Sequence, residues 1–468
     1  MRLKRMIFAG LFLSACTIGP EYTYPEIDLP DRYSVLAPVT KASTSDLHWW
    51  RDFNDPVLNE LIAQAMHSNI GVAEARERVR EAEAVARQEG VVPTGNGTIT
   101  ARGNSNAGDT VSGEVTASFN LAGRTGWTNR AARQRLEAAR LGVGEATRLL
   151  LAELGAAYIE MRFLQRSLET RSQDLASRQR TLRDLRTQFD VAAATQLDIL
   201  RAQALVMETQ AEIPRISANI MQQRNRISTL LGVPVGSVGT DLGYRGSQPH
   251  PIGTGDIGVP ANLLRARPDI RIAERQYAAA VSDLGAAQAA RYPSLDLSGL
   301  VTAPLSSGSW NESLVAGLTM PILSQPALAA AADAAESRSR QAYMGWREAV
   351  LEAVEQVENE LSALRAAKQS VAASRKLVSL NERALMLSRE LVIQGGDATV
   401  LDVIDRERSV SAARATLARN MRDLALSYVN LRVSLGIGHE EVTVAPESVT
   451  MSESTILSDI SRSTPDAP

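Results

Sequence analysis

Between Pro93 and Pro214, and again between Pro326 and Pro446, the chain contains no proline. Nothing in the backbone therefore forces a break across two long stretches, and each can hold very long helices. The apolar residues of the first stretch keep a seven-residue step through Leu168, Leu175, Leu182 and Phe189, and those of the second through Val371, Val378, Leu385 and Val392. After a short break the step resumes as Val206, Ile213, Ile220 and Ile227 in one half and as Val410, Leu417, Leu424 and Leu431 in the other. A 3.5-residue seam keeps one side of a helix against its partner, so two such runs separated by a turn predict an antiparallel coiled-coil hairpin. The chain carries two of them.

The halves also correspond at their turns. Thr195-Gln196-Leu197-Asp198-Ile199-Leu200 matches Thr399-Val400-Leu401-Asp402-Val403-Ile404, and Leu231-Gly232 matches Leu435-Gly436, which reads as an internal duplication. Upstream, Ala73-Glu74 and Pro93 correspond to Ala273-Glu274 and Pro293, and after each proline the pattern changes to strand. From Gly113 to Leu121 the residues Val115, Ala117, Phe119 and Leu121 alternate with Glu114, Thr116, Ser118 and Asn120, one face suited to lipid and the other to water. Leu295, Leu297 and Gly299 alternate with Asp296 and Ser298, while Thr98 to Arg102 and Leu314 to Met320 give weaker strand readings. Four strands cannot close a barrel, and an open edge in lipid leaves backbone groups unsatisfied, so several chains must contribute to one barrel. The expected fold is mainly α with a small β part: two long hairpins and four strands per chain. A helix from Ala327 to Gln394 would be roughly 100 Å long, far more than a bilayer's thickness.

Arg2, Lys4 and Arg5 precede an apolar run from Met6 to Leu13 that is too short to span a bilayer, which predicts an export signal that is removed. The run ends in Leu13-Ser14-Ala15-Cys16, similar to a lipobox, and Cys16 is the sole cysteine of the chain. One thiol excludes a structural disulfide and a CxxC site, which leaves lipidation of Cys16 as its expected role. Several acyl chains hold firmly where one does not, each buried methylene contributing roughly 0.8 kcal/mol.

Other function classes are poorly served. The four histidines, at positions 48, 67, 250 and 439, are scattered without metal or triad spacing. Gly232 to Gly243 is glycine-rich but lacks the Lys-Ser/Thr ending of a phosphate loop, and reads as part of a linker. A net charge of -3 with both signs interspersed offers no basic patch for nucleic acid. No enzyme, metal or cofactor is expected.

Three motifs carry a family resemblance. The expected mature start Cys16-Thr17-Ile18-Gly19-Pro20-Glu21-Tyr22, with Pro25, is followed by Trp49-Trp50, Phe53, Asp55-Pro56 and Leu58. The third motif runs from Arg265-Ala266-Arg267-Pro268-Asp269-Ile270-Arg271 through Ala273-Glu274-Arg275 and Gly285-Ala286-Ala287 to Tyr292-Pro293-Ser294. Together they resemble the outer-membrane factor lipoproteins of resistance-nodulation-division (RND) efflux pumps, whose architecture is that of TolC-type channels. The resemblance implies a homotrimer in the outer membrane, with a twelve-strand β-barrel continued by a twelve-helix periplasmic α-barrel. It also implies a periplasmic membrane-fusion adaptor and an inner-membrane RND pump as partners, and a passive conduit exporting small molecules. Leu401-Asp402-Val403-Ile404-Asp405 looks like the segment at the family's closable iris, which makes Asp402 and Asp405 the gate candidates. The alternative at those residues is pairing of Asp402 with Arg406 and of Asp405 with Arg408 along an exposed helix. The hairpin tips that receive the adaptor correspond to Phe189, Ala192 and Thr195, and to Gly395, Gly396 and Thr399; relatives usually show glycine where Ala192 stands.

The domain reading assigns 1–15 to the signal, 16–72 to the lipidated and equatorial segment, and 73–231 to the first repeat. It continues with a linker at 232–262, the second repeat at 263–438 and a tail at 439–468. Two rival readings stand beside the efflux channel: an exit duct for secreted polypeptides, and a poreless structural tether.

Overall fold

The computed structural model describes residues 18–30, 48–90, 94–103, 109–192, 194–243, 247–252, 267–305, 309–394, 399–436 and 438. Cys16, Gly395, Gly396, residues 253–262 of the linker and the tail lie outside the described residues. A 3-10 turn at Trp49–Phe53 leads into α1 (Pro56–Ser68) and α2 (Ile70–Glu89), followed by strands β1 (Thr94–Arg102) and β2 (Thr110–Asn120). Helices α3 (Arg124–Asp190) and α4 (Gln196–Leu230) form the first hairpin. Then come α5 (Pro268–Ala289), β3 (Ser294–Pro304), β4 (Asn311–Thr319) and the second hairpin, α6 (Gln325–Ile393) with α7 (Val400–Ser434). At 67 and 69 residues, α3 and α6 are each about 100 Å long. The helix α4 runs on through Pro214, which is exposed, as is Gln210, whose carbonyl loses its N–H donor there.

Each hairpin's shorter helix is continued by another. The Ser68 hydroxyl donates to the Leu231 carbonyl at 2.6 Å and the Asn69 amide to the Leu230 carbonyl at 2.7 Å, closing the C-terminus of α4. Asn69 Oδ1 meanwhile accepts from Val72 N at 2.9 Å, so one side chain ends α4 and starts α2. At the corresponding joint of the second half, Arg267 Nη1 donates to the Ser434 carbonyl at 2.7 Å, just where α7 ends and α5 begins. The paired Gly232 and Gly436 adopt positive φ of 69° and 74° behind those helix ends, and a Cβ at either would collide with Ser68 or Arg267. Helix α3 packs against α2, α4, α5 and α7, and α6 against α5 and α7. The molecule is therefore a row of four columns: α4 with α2, then α3, then α7 with α5, then α6.

Arg267 is the anchor of the Arg-Pro-Asp motif. Its buried guanidinium also binds Asp269 through Nε at 3.0 Å and Nη2 at 2.5 Å, and reaches Gln356 on α6 at 3.0 Å. Burial pushes the Asp269 carboxyl up, but the hydrogen bonds and charge of Arg267, with Arg148 behind them, hold it below the ordinary value.

The core sits at mid-height. Trp49, Trp50 and Phe53 of the 3-10 turn and Val57, Leu58, Leu61 and Ile62 of α1 pack into a cluster shared with α3, α4, α6 and α7. Asp55 caps α1 by accepting from Val57 N at 3.0 Å, and its second oxygen takes the Tyr158 hydroxyl at 2.5 Å. Tyr158 in turn accepts from Arg162 Nε at 2.9 Å, and Arg162 is 2% exposed. A second relay of the same chemistry runs from Arg432 Nε to Tyr428 at 3.0 Å and from Tyr428 to Asp52. Burial, followed by the aspartate hydrogen bond, pushes both phenols up. The Trp-Trp motif thus delivers two carboxylates to two buried tyrosine-arginine pairs.

Residues 18–30 lie across the upper helices. Trp127 Nε1 donates to the Ile18 carbonyl at 2.9 Å, Tyr22 donates to the buried Glu274, and Ile27 and Leu29 pack on Ile270 and Trp346.

Candidate functional site

The four strands form one antiparallel meander in the order β1-β2-β3-β4, which leaves β1 and β4 with unpaired outer edges. Register decides what each face carries. Gly95 pairs with Ala117, Gly97 with Val115 and Ile99 with Gly113. Those residues meet Leu297, Gly299 and Val301 on β3, which in turn oppose Ala316 and Leu314 on β4. One face is thus apolar across all four strands but for Glu312, which opposes Val301 near the start of β4, and its large side chains lie open, Ile99 at 86% and Leu314 at 84% exposure. The opposite face is mainly polar, built from Asn96, Thr98, Thr116, Glu114, Ser118, Asp296, Ser298 and Thr302, with Leu300 and Val315 among them. Asp296 ties three strands there, accepting from Ser118 and from Thr319 at 2.5 Å each. Such a sheet separates an apolar medium from an aqueous one.

At the far end of the hairpins the tips are fixed by matching caps. Thr195 N and Oγ1 donate to Asp198 Oδ2 at 3.0 and 2.5 Å, and Thr399 N and Oγ1 donate to Asp402 Oδ2 at 2.8 and 2.7 Å. Each is a capping box, with the N3 backbone N–H donating to the threonine hydroxyl. The Thr399 hydrogen bonds, assisted by Arg406, hold the exposed Asp402 carboxyl below the usual carboxylate range, and Thr195 with Arg201 does the same for Asp198. Asp402 is therefore held ionised at its own helix terminus, while Asp405 is exposed one turn on and forms no ion pair among the described residues. Phe189 is 42% exposed near the end of α3. Ala192 turns the chain in the left-handed region at φ 55°, its N–H donating to the Phe189 carbonyl at 2.9 Å. That backbone explains why glycine suits the position.

Just above the tips the two hairpins are stitched by groups that sequence reasoning did not single out. Glu407 on α7 accepts from Arg389 on α6 at 2.6 Å and from Ser177 and Thr181 on α3 at 3.1 and 3.3 Å. Ser411 on α7 donates to Asp174 at 2.6 Å, and Arg171 reaches both Ser411 at 2.9 Å and Glu212 on α4 at 2.7 Å. The signal that could have found them is charge at seam-flanking heptad positions. Among the described residues no group of His, Cys, Asp and Glu is arranged to hold a metal ion, and no helix is long and apolar enough to cross a membrane.

A family described as "Outer membrane efflux protein" matches residues 61–233 and 259–437, most of the chain. The chain belongs to this family. It is 32% identical over 460 residues to "Nodulation protein T" of Rhizobium leguminosarum bv. trifolii, covering 94% of this chain and 98% of that one. It is 26% identical over 468 residues to "Pyoverdine export outer membrane protein OpmQ" of Pseudomonas aeruginosa, covering 93% and 96%. The solved outer-membrane channel OprN superposes with a TM-score of 0.83 at 26% identity, over 91% of this chain and all of that one. The mainly helical fold with a small four-stranded antiparallel sheet is therefore that of outer-membrane efflux channels. Members of the family are transport conduits and not enzymes, and this chain is an outer membrane efflux protein of that kind.

Proposed function

We propose that three copies of this chain assemble into one channel, a twelve-strand barrel in the outer membrane continued by a twelve-helix tube, that serves as the exit duct of a tripartite RND-type efflux pump. The observation that carries the proposal is the sheet: four strands, mainly apolar on one face and mainly polar on the other, with both outer edges unpaired. In lipid such edges must be satisfied by further strands. The alternation is even in number, so β4 of one copy can meet β1 of the next antiparallel, as it meets β3 within the chain. The lower half of α6 supports the same reading, because Leu377, Leu380, Met386, Leu387, Leu391 and Ile393 are exposed apolar side chains on an outermost column. Internal duplication is supported by helices α4 and α7, which are both 35 residues long and open with the same Thr-x-x-Asp cap.

In this reading Cys16 carries the lipid anchor, and the tips around Phe189, Ala192, Thr195, Gly395, Gly396 and Thr399 receive the periplasmic adaptor. Asp402 and Asp405 from three copies form a ring of carboxylates that favours cations at the periplasmic mouth. Small molecules are the proposed cargo, chosen by the inner-membrane pump and not by the duct. Electron microscopy of detergent-purified protein tests the proposal. A threefold cylinder over about 100 Å tall is expected from the helix lengths, and a monomeric particle would overturn it.

A further inference from the structure

The ends of the four strands that adjoin the long helices are ringed by arginines. Arg124 and Arg130 follow β2 on the first turns of α3, Arg133 lies one turn further, and Arg291 stands three residues before β3. All four are exposed, and among the described residues none forms an ion pair. The carboxylates nearby are engaged elsewhere: Asp283 with Arg135, and Glu137 and Glu83 with Arg140. Glu89, at the end of α2, Glu21, on the 18–30 segment, and Glu81 and Asp333, about as far from the strands as Arg133, are the acidic exceptions. The opposite end of the sheet has no such excess, Arg102 standing there with Asp109 and Glu312.

Direction is set by Trp127. Its indole is held by the Ile18 carbonyl, and the Arg130 guanidinium stacks 4.4 Å from the ring centroid. Arg133 follows Arg130 on the same exposed stripe, one turn along α3. Ile18 belongs to the segment that packs on Trp127 and α5, so Arg130 and Arg133 flank that segment, which in the proposed trimer lies on the outer wall. The apolar face of the sheet begins directly above, at Phe119 and Leu295.

We propose that Arg130, Arg133 and Arg291 form a collar that binds anionic phospholipid headgroups of the leaflet facing the periplasm, while Arg124, half a helical turn of direction away from Arg133, takes no part. The inference rests on the membrane reading of the sheet. Charge complementarity selects the partner: unpaired guanidinium groups immediately below a lipid-facing surface stand at headgroup height, where they attract phosphate and the acidic glycerol headgroup. Tyr292, exposed beside Arg291, supplies an aromatic ring for the same interface.

The test uses the full chain reconstituted in nanodiscs of phosphatidylcholine mixed with phosphatidylglycerol, with native mass spectrometry of the lipids that stay bound. Wild type is expected to retain phosphatidylglycerol above its bulk fraction, with the enrichment falling by about fivefold per arginine removed at low salt. The double variant Arg133→Gln, Arg291→Gln leaves the Arg130–Trp127 stack intact and tests charge alone, and the corresponding lysine variant should keep the enrichment. Bound lipid in the bulk ratio, or enrichment that survives the glutamine variant, would overturn the collar. Single-channel conductance in pure phosphatidylcholine separates the two ideas. A wild-type channel that conducts without lipid preference refutes only the collar, whereas a chain that neither inserts nor conducts refutes the membrane reading and the collar with it.

Discussion

The Tyr158 hydroxyl donates a 2.5 Å hydrogen bond to Asp55 and accepts one from Arg162 at 2.9 Å, so a single phenol joins the Asp-Pro turn to a buried cation on α3. Tyr158→Phe removes both bonds and leaves the Arg162 Nε donor buried without its partner. We expect a loss of about 1–3 kcal/mol in unfolding free energy, measured by denaturant titration of the detergent-solubilised protein. Wild-type stability would show that Gln165 and the Gly243 carbonyl, which Arg162 also contacts, suffice to hold it.

Asp269 supplies the pH-dependent case. Its folded carboxyl titrates below the ordinary value, so the stability it contributes is present above the unfolded value of about 4 and is lost as the pH falls through the lower folded value. Asp269→Asn should therefore destabilise the protein at neutral pH, and its deficit relative to wild type should shrink in acid below about pH 4. A deficit that stays constant across that window contradicts the linkage.

The two gate candidates can be separated by the caps. Thr399→Ala removes the capping hydroxyl without changing charge and should cost α7 about 1 kcal/mol while leaving cation preference in planar bilayers unchanged. Asp405→Ala leaves the cap intact and should raise conductance and lower cation preference. Asp402→Ala should do both. If Asp405→Ala changes neither quantity, that residue belongs to the solvated surface of α7.

Ala192 holds φ at 55°, which costs an L-residue roughly 1–2 kcal/mol relative to a right-handed geometry. Ala192→Gly should relieve part of this, slowing hydrogen exchange at the ends of α3 and α4. Faster exchange would mean that the entropy glycine loses on ordering outweighs the strain.

How much of this was legible in the sequence varies with the physics involved. The hairpins were, because Leu182, Val206, Val371, Val410, Leu424 and Leu431 are buried where a 3.5-residue seam requires. Val378, Leu385 and Val392 continue the step but are only half-buried within one chain, since α6 is an outermost column. The strands were legible from alternation at Val115, Ala117 and Phe119, whereas Thr94 to Gly97 of β1 were not, because Gly95 and Gly97 carry no hydrophobic signal on the apolar face. At the tips, Thr195 and Thr399 were marked by the match between the two turns and by resemblance, and the Thr-x-x-Asp spacing also announced their caps. The partners of Glu407 were not legible, because Arg389 and Ser177 lie on other helices and meet it only when the hairpins pack.

Two of the four columns are spliced, at Asn69 and at Arg267, and the other two are unbroken helices of 67 and 69 residues. A wall of alternating jointed and seamless staves has unequal stiffness around its circumference. Under a bending load the splices have only a few hydrogen bonds to lose, whereas α3 and α6 have a continuous helical ladder. In the proposed tube, the level of Asn69 and Arg267 is therefore where the wall would yield first.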